Sequence, residues 1–410
     1  MPGNRPTDSL AVSVGALCPR SIISLSIQYK IINRKKLLAV RGADAAANTL
    51  AKVGAFRRGV YTPILANREA IKRILVVRLA YIGDVVMTLP VVAPLKRAFP
   101  DAQIDFLTAT AAAPFVESHP DLNDVIGFNA PWFHASADKA ETDGLVQRLQ
   151  DNDYDLGIDF RGDLRNIYHC LWRPRIPRRL SYTSGGGGAL LTHSLDWHEL
   201  KHKVEFHLDL LREMGIDAPT ADPEIVLSAD ERDEARKLLS DALEQGHAPP
   251  VASHPGARLD LKRYPVERFA ELTKRISQDT GRPIILVGTP DDEPRAAIIK
   301  QSGKVAADLT SALSIRMLAA VFSQCACLIC HDSAAMHISA AVGTPVVAVF
   351  GPSRPAETSP CIAAGQVLEG PCPRKDACDE TTCLEEDQGH CILSIAQDDV
   401  YARTMAVLAG

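Results

Sequence analysis

The chain has 410 residues, 46% of them hydrophobic and 23% charged, with a formal net charge of −5. That length exceeds one ordinary core and predicts two domains with smaller additions, while the negative balance excludes wholesale nucleic-acid binding. No apolar run reaches the ~18 residues that a membrane span needs. The charge is uneven along the chain. Residues 1–70 hold eleven Lys/Arg against three Asp/Glu, which leaves the remainder near −13. This basic extension has no positively charged n-region ahead of a clean apolar h-region, so no signal peptide is read and a cytoplasmic, reducing address is expected. Its stretch "YKIINRKKLLAVRG" is read in two ways. It lies on the anionic face of the inner membrane, at about 1 kcal/mol per basic residue, or it is a tail without a fixed place.

From residue 71 the pattern becomes regular. "IKRILVVRL" is a continuous apolar strand of the kind a sheet buried on both faces requires. "GDVVMTLPVVAPLKRAFP" follows as a helix carrying a proline in its first third, then the strands "AQIDFLTA", "DVIGF" and "YDLGIDFRG" with the helical "AETDGLVQRLQDN" between the last two. "SYTSGGGGALLTH" is too rich in glycine for a fixed element and reads as a mobile loop or a linker. "KHKVEFHLDLLREMGI" closes the half as a helix ending at Gly215. A polar helix in "PEIVLSADERDEARKLLSDALEQG" makes the crossing. The second half repeats the scheme with the strands "PPVASHPGA", "RPIILVGTP", "ACLIC" and "TPVVAVFGPS", and helices between them, before a last helix in "SIAQDDVYARTMAVLAG". Alternating strands and helices predict an α/β protein of two facing, doubly wound Rossmann-like domains with a cleft between them. The expected divisions are an extension over 1–70, domains over 71–225 and 226–395, and a terminal helix over 396–410.

Three stretches carry chemistry. In "RLAYIGDVVMTLP", Gly83 permits a tight turn and Asp84 lands at a helix start, either as a simple N-cap or as a carboxylate acting as general base at the cleft edge. In "SHPGARLDLKRYPVERFAEL", a strand ends in Pro-Gly-Ala257 and the loop then presents Arg258 and Lys262, suited to a diphosphate unless the loop is merely a solvated basic one. In "HDSAAMH", Ser333 offers a hydroxyl and a backbone N–H to a phosphate at a helix N-terminus, Asp332 orders the loop or bonds sugar hydroxyls, and His337 is either a satisfied core histidine or a ligand. No Gly-x-Gly-x-x-Gly fingerprint follows a strand, which argues against a dinucleotide-binding protein. No Asp-x-Asp pair stands at a strand's C-terminal end to hold Mg²⁺, and the acids of "PDDEP" read as a helix's acidic first turn.

Taken together, "ILVVRLAYIGDVVMTLPVVAPLKRAFPDAQIDFLT", "YDLGIDFRGDLRN", "HPGARLDLKRYPVERFAEL" and "DSAAMHISAAVGTPVVAVFGPSRP" resemble the glycosyltransferase family 9 heptosyltransferases over about residues 71–395. The resemblance implies a GT-B fold, with a glycolipid acceptor of the lipid A–Kdo type on the first domain and a nucleotide-sugar donor, ADP-heptose, on the second. It implies Asp84 as catalytic base, Lys262 on the donor diphosphate, and Asp332, Ser333 and His337 as the donor-binding motif. Ala334 stands where that motif has glycine, and Gly351 opens the matching Gly-Pro-Ser-x-Pro turn. With them go Ala257 and Arg258 on the donor side, and Arg78, Gly83, Arg161 and Arg165 on the acceptor side, the last two as grips for acceptor phosphates. The implied reaction is one inverting displacement that needs no cofactor for catalysis. The alternative is a transferase of the same fold using another nucleotide sugar, or modifying a protein or a different glycan.

Of the ten cysteines, Cys372, Cys378, Cys383 and Cys391 cluster near the C-terminus. Four thiolates suit a structural tetrahedral zinc or iron site, but this segment contains no Cys-x-x-Cys hairpin, and disulfides or free thiols remain the other readings.

Overall fold

The computed structural model describes residues 38, 40–42, 45–46, 49, 59–133, 139–196, 200–302, 304–374, 378, 380–384 and 389–409. Most of the basic extension, including nearly all of its expected membrane-facing stretch, lies outside the described residues.

Among the described residues, twelve strands form two parallel six-stranded sheets. The first holds β1 (Arg73–Arg78), β2 (Gln103–Thr108), β3 (Asp124–Gly127), β4 (Leu156–Asp159), β5 (Arg178–Tyr182) and β6 (His193–Leu195), in the order β3-β2-β1-β4-β5-β6. The second holds β7 (Val251–Ser253), β8 (Ile284–Leu286), β9 (Ala307–Asp308), β10 (Cys327–His331), β11 (Val346–Phe350) and β12 (Gln366–Glu369), in the order β12-β11-β10-β7-β8-β9. Each sheet thus starts in its middle, winds outward to one edge and returns to wind the other way. The reversal falls between β1 and β4 in one lobe and between β7 and β10 in the other, and such reversals are where doubly wound sheets bind ligands, beyond the strands' C-terminal ends.

The strands read as continuous apolar runs because both faces are covered. Ile74 and Val76 of β1 belong to one core cluster, and Leu75 and Val77 to another on the opposite face. Ala252 and Leu328 of the second sheet join the cluster of Ile74, so one apolar core runs from lobe to lobe. Ile64 and Ile71 are buried in it too, and Val60 N–H donates to Pro177 O at 2.8 Å. The boundary expected at residue 71 therefore falls inside a stretch already packed on the first lobe. The last helix, Gln397–Ala409, lies on the second lobe, where Arg275 stacks over Tyr401 and pairs with Asp398 at 2.6 Å.

Two expectations are corrected. The single helix expected over "GDVVMTLPVVAPLKRAFP" is broken into Ile82–Val86, a 3-10 turn Leu89–Val91 and Val92–Ala98, because Pro90 brings no N–H and crowds the preceding turn. The glycine-rich stretch is a fixed part of the first sheet. Gly186 and Gly187 take left-handed turns, Gly185 lies so close to Gly162 O that a Cβ would stand 2.3 Å from it, and Leu190, Leu191 and Ser184 are buried. Glycine there serves close backbone contact, not mobility. Strands β5, β6, β9 and β12 are absent from the sequence reading: β6 and β9 are three and two residues long, and β5 opens with two arginines.

Candidate active site

The first lobe's contribution starts where β1 ends. Arg78 is buried and spans the reversal point, its Nη1 donating to Phe160 O just past β4 at 2.7 Å and its Nη2 to Asp84 Oδ1 at 3.0 Å. Asp84 is not the N-cap of its helix, a place held by Tyr81; it sits inside the first turn with its side chain partly open to the cleft. Burial alone would raise its carboxyl, but the charges of Arg78, Lys203 and Arg161 outweigh that and hold it below the ordinary carboxylate range. Beside it opens a cleft of about 280 Å³ lined by Arg78, Tyr81, Asp84, Arg161, Lys203 and His207, with Phe133, Phe160, Phe206 and Ser184 among the remaining walls.

Arg161 faces this cleft, its Nη1 donating to Leu79 O at 2.8 Å and its guanidinium stacked over Phe133. Arg165, expected beside it, does not line the cleft. Its Nε and Nη2 grip Asp163 at 2.9 and 2.6 Å and its Nη1 donates to Trp132 O, which leaves it a structural role on its own loop. Lys203 and His207 were not singled out in the sequence, since each is one polar residue in an ordinary amphipathic helix, Lys203–Arg212. His207 is fully buried and held far below the usual histidine range by that burial. Its Nδ1 lies 3.1 Å from Met87 O and 3.2 Å from Thr88 Oγ1, and Thr88 Oγ1 donates to Asp84 O at 2.8 Å. The helix carrying Asp84 is thereby tied from behind.

The second lobe offers the ends of β7 and β10. Lys262, in the 3-10 turn Asp260–Lys262, is buried, and its Nζ donates to Asp332 Oδ2 at 2.7 Å. Burial would lower its ammonium, but Asp332 and Glu380 raise it above the ordinary lysine value. His331, at the end of β10, staples the loop in place: its Nε2 accepts from Tyr264 N–H at 2.9 Å and its Nδ1 lies 3.1 Å from Gly256 O, with burial pressing its pKa down to about 3. Ala257 O accepts from Arg263 Nε at 2.7 Å, and Gly351 backs the same loop so closely that a Cβ would lie 2.6 Å from Leu261 O. Ser333 precedes the helix Ala334–Ala341 as its N-cap, and its buried Oγ has no hydrogen-bond partner within the protein. A hydroxyl and free N–H groups at a helix start, beside a buried ammonium, form an anion cradle.

The lobes meet at this point. The helix Ile82–Val86 abuts the helix Ala334–Ala341, and a Cβ on Gly83 would lie 2.5 Å from His337 Cδ2. Gly83 thus serves helix contact; the tight turn expected of it is not there. His337 is buried, its pKa pressed to about 4 by that burial against the opposing pull of Asp332 and Asp84, with Lys262 also acting on it. The imidazole is neutral at pH 7 and stands among all three groups. Arg258 crosses the same gap, stacked over Tyr81 at 4.8 Å. Lys203 pairs with Glu357 of the second lobe at 3.2 Å, and His202 Nε2 lies 3.0 Å from Ser359 O.

Residues 143–387 match the family described as Glycosyltransferase family 9 (heptosyltransferase). The chain belongs to glycosyltransferase family 9. As a member of it, the protein is a glycosyltransferase, and curated relatives agree: it is 25% identical over 315 residues to lipopolysaccharide heptosyltransferase 2 of Salmonella typhimurium, covering 72% of this chain and 87% of the relative. Two solved structures share the fold. The family 9 glycosyl transferase from Veillonella parvula superposes with a TM-score of 0.70 at 22% identity, covering 82% and 97% of the two chains, and E. coli ADP-heptose lps heptosyltransferase II with 0.67 at 22%, covering 82% and 98%. The family 9 fold accordingly has the two facing Rossmann-like lobes of the GT-B class.

The four clustered cysteines of this family 9 glycosyltransferase do converge. With Leu261, Pro352 and Gly389 they line a cavity of about 10 Å³, room for one water-sized sphere. The sulfurs of Cys378 and Cys383 accept from Leu384 N–H and Gly389 N–H at 3.4 Å. Among the described residues no three His, Cys, Asp or Glu side chains are arranged, as they stand, to hold a metal ion. Nor is any helix among them long and apolar enough to cross a membrane.

Proposed function

We propose that the protein moves a heptose from ADP-heptose onto a lipopolysaccharide-core acceptor of the lipid A–Kdo type, in one inverting displacement. The observation that carries this reading is the contact between the helix that holds Asp84 and the helix of His337, at Gly83, with the ion pair of Lys262 and Asp332 at the start of that second helix. The donor's diphosphate takes Lys262 and Arg258, with Ser333 Oγ and the start of the helix Ala334–Ala341 behind it. The acceptor lies in the cleft beside Asp84, where Arg78, Arg161 and Lys203 suit an anionic glycolipid head.

As the bond from the anomeric carbon to the diphosphate oxygen breaks, the electron pair leaves with ADP and positive charge builds on the sugar ring. Lys262 and the helix start stabilise the departing charge. The acceptor hydroxyl then forms its bond to the anomeric carbon from the opposite face and passes its proton to Asp84. A carboxylate held below the ordinary range is a weak base, so proton transfer comes late, once the sugar cation has made the hydroxyl acidic. Every step uses groups of this chain. The reading carries with it a cytoplasmic site of action, at the inner face of the membrane that holds the acceptor.

The test is a panel of nucleotide sugars offered to the purified protein, read by thermal stabilisation and by transfer to the deacylated core acceptor. ADP-heptose should stabilise it and be consumed; stabilisation only by a uridine- or guanosine-linked sugar would overturn the donor assignment.

A further inference from the structure

The segment holding the clustered cysteines also reaches into the donor site. Glu380, between Cys378 and Cys383, places Oε1 3.0 Å from Lys262 Nζ and Oε2 3.9 Å from Arg258 Nη2. The two basic side chains assigned to the donor diphosphate therefore hold one and the same carboxylate. Lys262 has two acid partners of unlike character. Asp332 is 8% exposed and built into the turn after β10, whereas Glu380 is 47% exposed and belongs to a loop anchored through its sulfurs. That loop is seated against Leu261, the residue next to Lys262, through the cavity that the four thiols share.

We propose that Glu380 is a donor-site residue that holds the place of the donor's phosphate on Lys262 and Arg258, and that the diphosphate displaces it on binding. The inference rests on the reading of Lys262 as a diphosphate ligand. Its physics is simple: a buried ammonium without a counter-charge is costly, and Glu380 supplies a second one while the site awaits its ligand. A diphosphate brings more negative charge than one carboxylate, so the exchange runs forward, and Asp332 stays in place throughout. Glu380 also sets affinity, because each donor molecule must break its ion pair. Glu380 thereby becomes part of the donor pocket's wall.

The experiment is calorimetric titration of the full chain with ADP and, separately, with adenosine, which has the base and ribose but no phosphates. Glu380→Gln keeps the side chain's size and removes its charge. It should tighten ADP on the order of threefold to tenfold, the scale of a half-exposed ion pair, and leave adenosine unchanged. Lys262→Ala should weaken ADP, and adding Glu380→Gln to it should tighten ADP by less than Glu380→Gln does in the parent, because only the longer contact with Arg258 is then left to release. If Lys262→Ala weakens ADP while Glu380→Gln leaves it unchanged or weakens it, the displacement is wrong and the donor site stands. If Glu380→Gln shifts ADP and adenosine alike, its effect is not competition for the phosphate position and the proposal falls. If Lys262→Ala leaves ADP affinity unaltered, the diphosphate assignment itself fails and takes the proposal with it.

Discussion

The two lobes have the same strand order and opposite electrostatics at the same place. Past β1 and β4, three cations surround one carboxylate and face an open cleft. Past β7 and β10, two carboxylates surround one buried ammonium, and the polar groups around it are drawn tightly together. The first arrangement keeps a carboxylate ionised at the edge of the cleft. The second keeps an ammonium charged in spite of its burial. One fold thus supplies two half-sites, and the difference between them lies in the residues beyond the strands together with Lys203 and Glu380, which reach in from other segments.

The sharpest way to break this comparison is to remove the carboxylate from the first lobe. Asp84→Ala should cut turnover by roughly 10²–10⁴-fold, the usual worth of a positioned base, while ADP affinity measured by calorimetry stays close to that of the parent. Retained turnover would show that the lobe's cations, not its acid, do the work.

Acid should unsettle both half-sites from behind. His337 and His331 have folded pKa values of about 4 and about 3, below the ordinary value near 6.5. The unfolded chain therefore binds more protons than the folded one between those values, and stability falls as pH drops below 6.5. At pH 5 each histidine should cost about 2 kcal/mol. Asp84, depressed below its ordinary value, loses its contribution only at still lower pH. A melting temperature that is flat from pH 7 to 5 would contradict the buried, neutral imidazoles.

The junction of the lobes is probed by Gly83→Ala, which drives a methyl into the His337 ring. A loss of about 1–3 kcal/mol in denaturant unfolding is expected, and Gly83→Ala combined with His337→Ala should recover part of it. The smallest effect belongs to Arg165→Ala. Its guanidinium is spent on Asp163 and Trp132 O, so acceptor KM should move less than about twofold, within the range of an exposed pair; a large rise in KM would return it to the acceptor site.

The cleft's chemistry was unevenly legible in the sequence. Asp332 and Ser333 directly follow a strand, and Asp84 and Lys262 lie in the first turns after β1 and β7, where the pattern of apolar runs announces a strand's end. Lys203 and His207 come from one helix whose periodicity says only that a face is buried. Nothing in that spacing tells which lobe it backs or that Met87 and Thr88 lie against it. Glu380 is less legible still, since it reaches Lys262 from 118 positions away along the chain.

The two doubly wound lobes were legible along the chain, because apolar runs make buried strands and small or charged residues end them. The family was legible through the resemblance of four quoted motifs. What the folded chain adds is that Gly83 makes room for a histidine, that the run of glycines is packed, that Arg165 is spent locally and that Glu380 pairs with Lys262. Apart from the grip of Arg165 on Asp163, two positions away, each of these is a contact between segments distant in the chain, and its energy depends on geometry that no local pattern encodes.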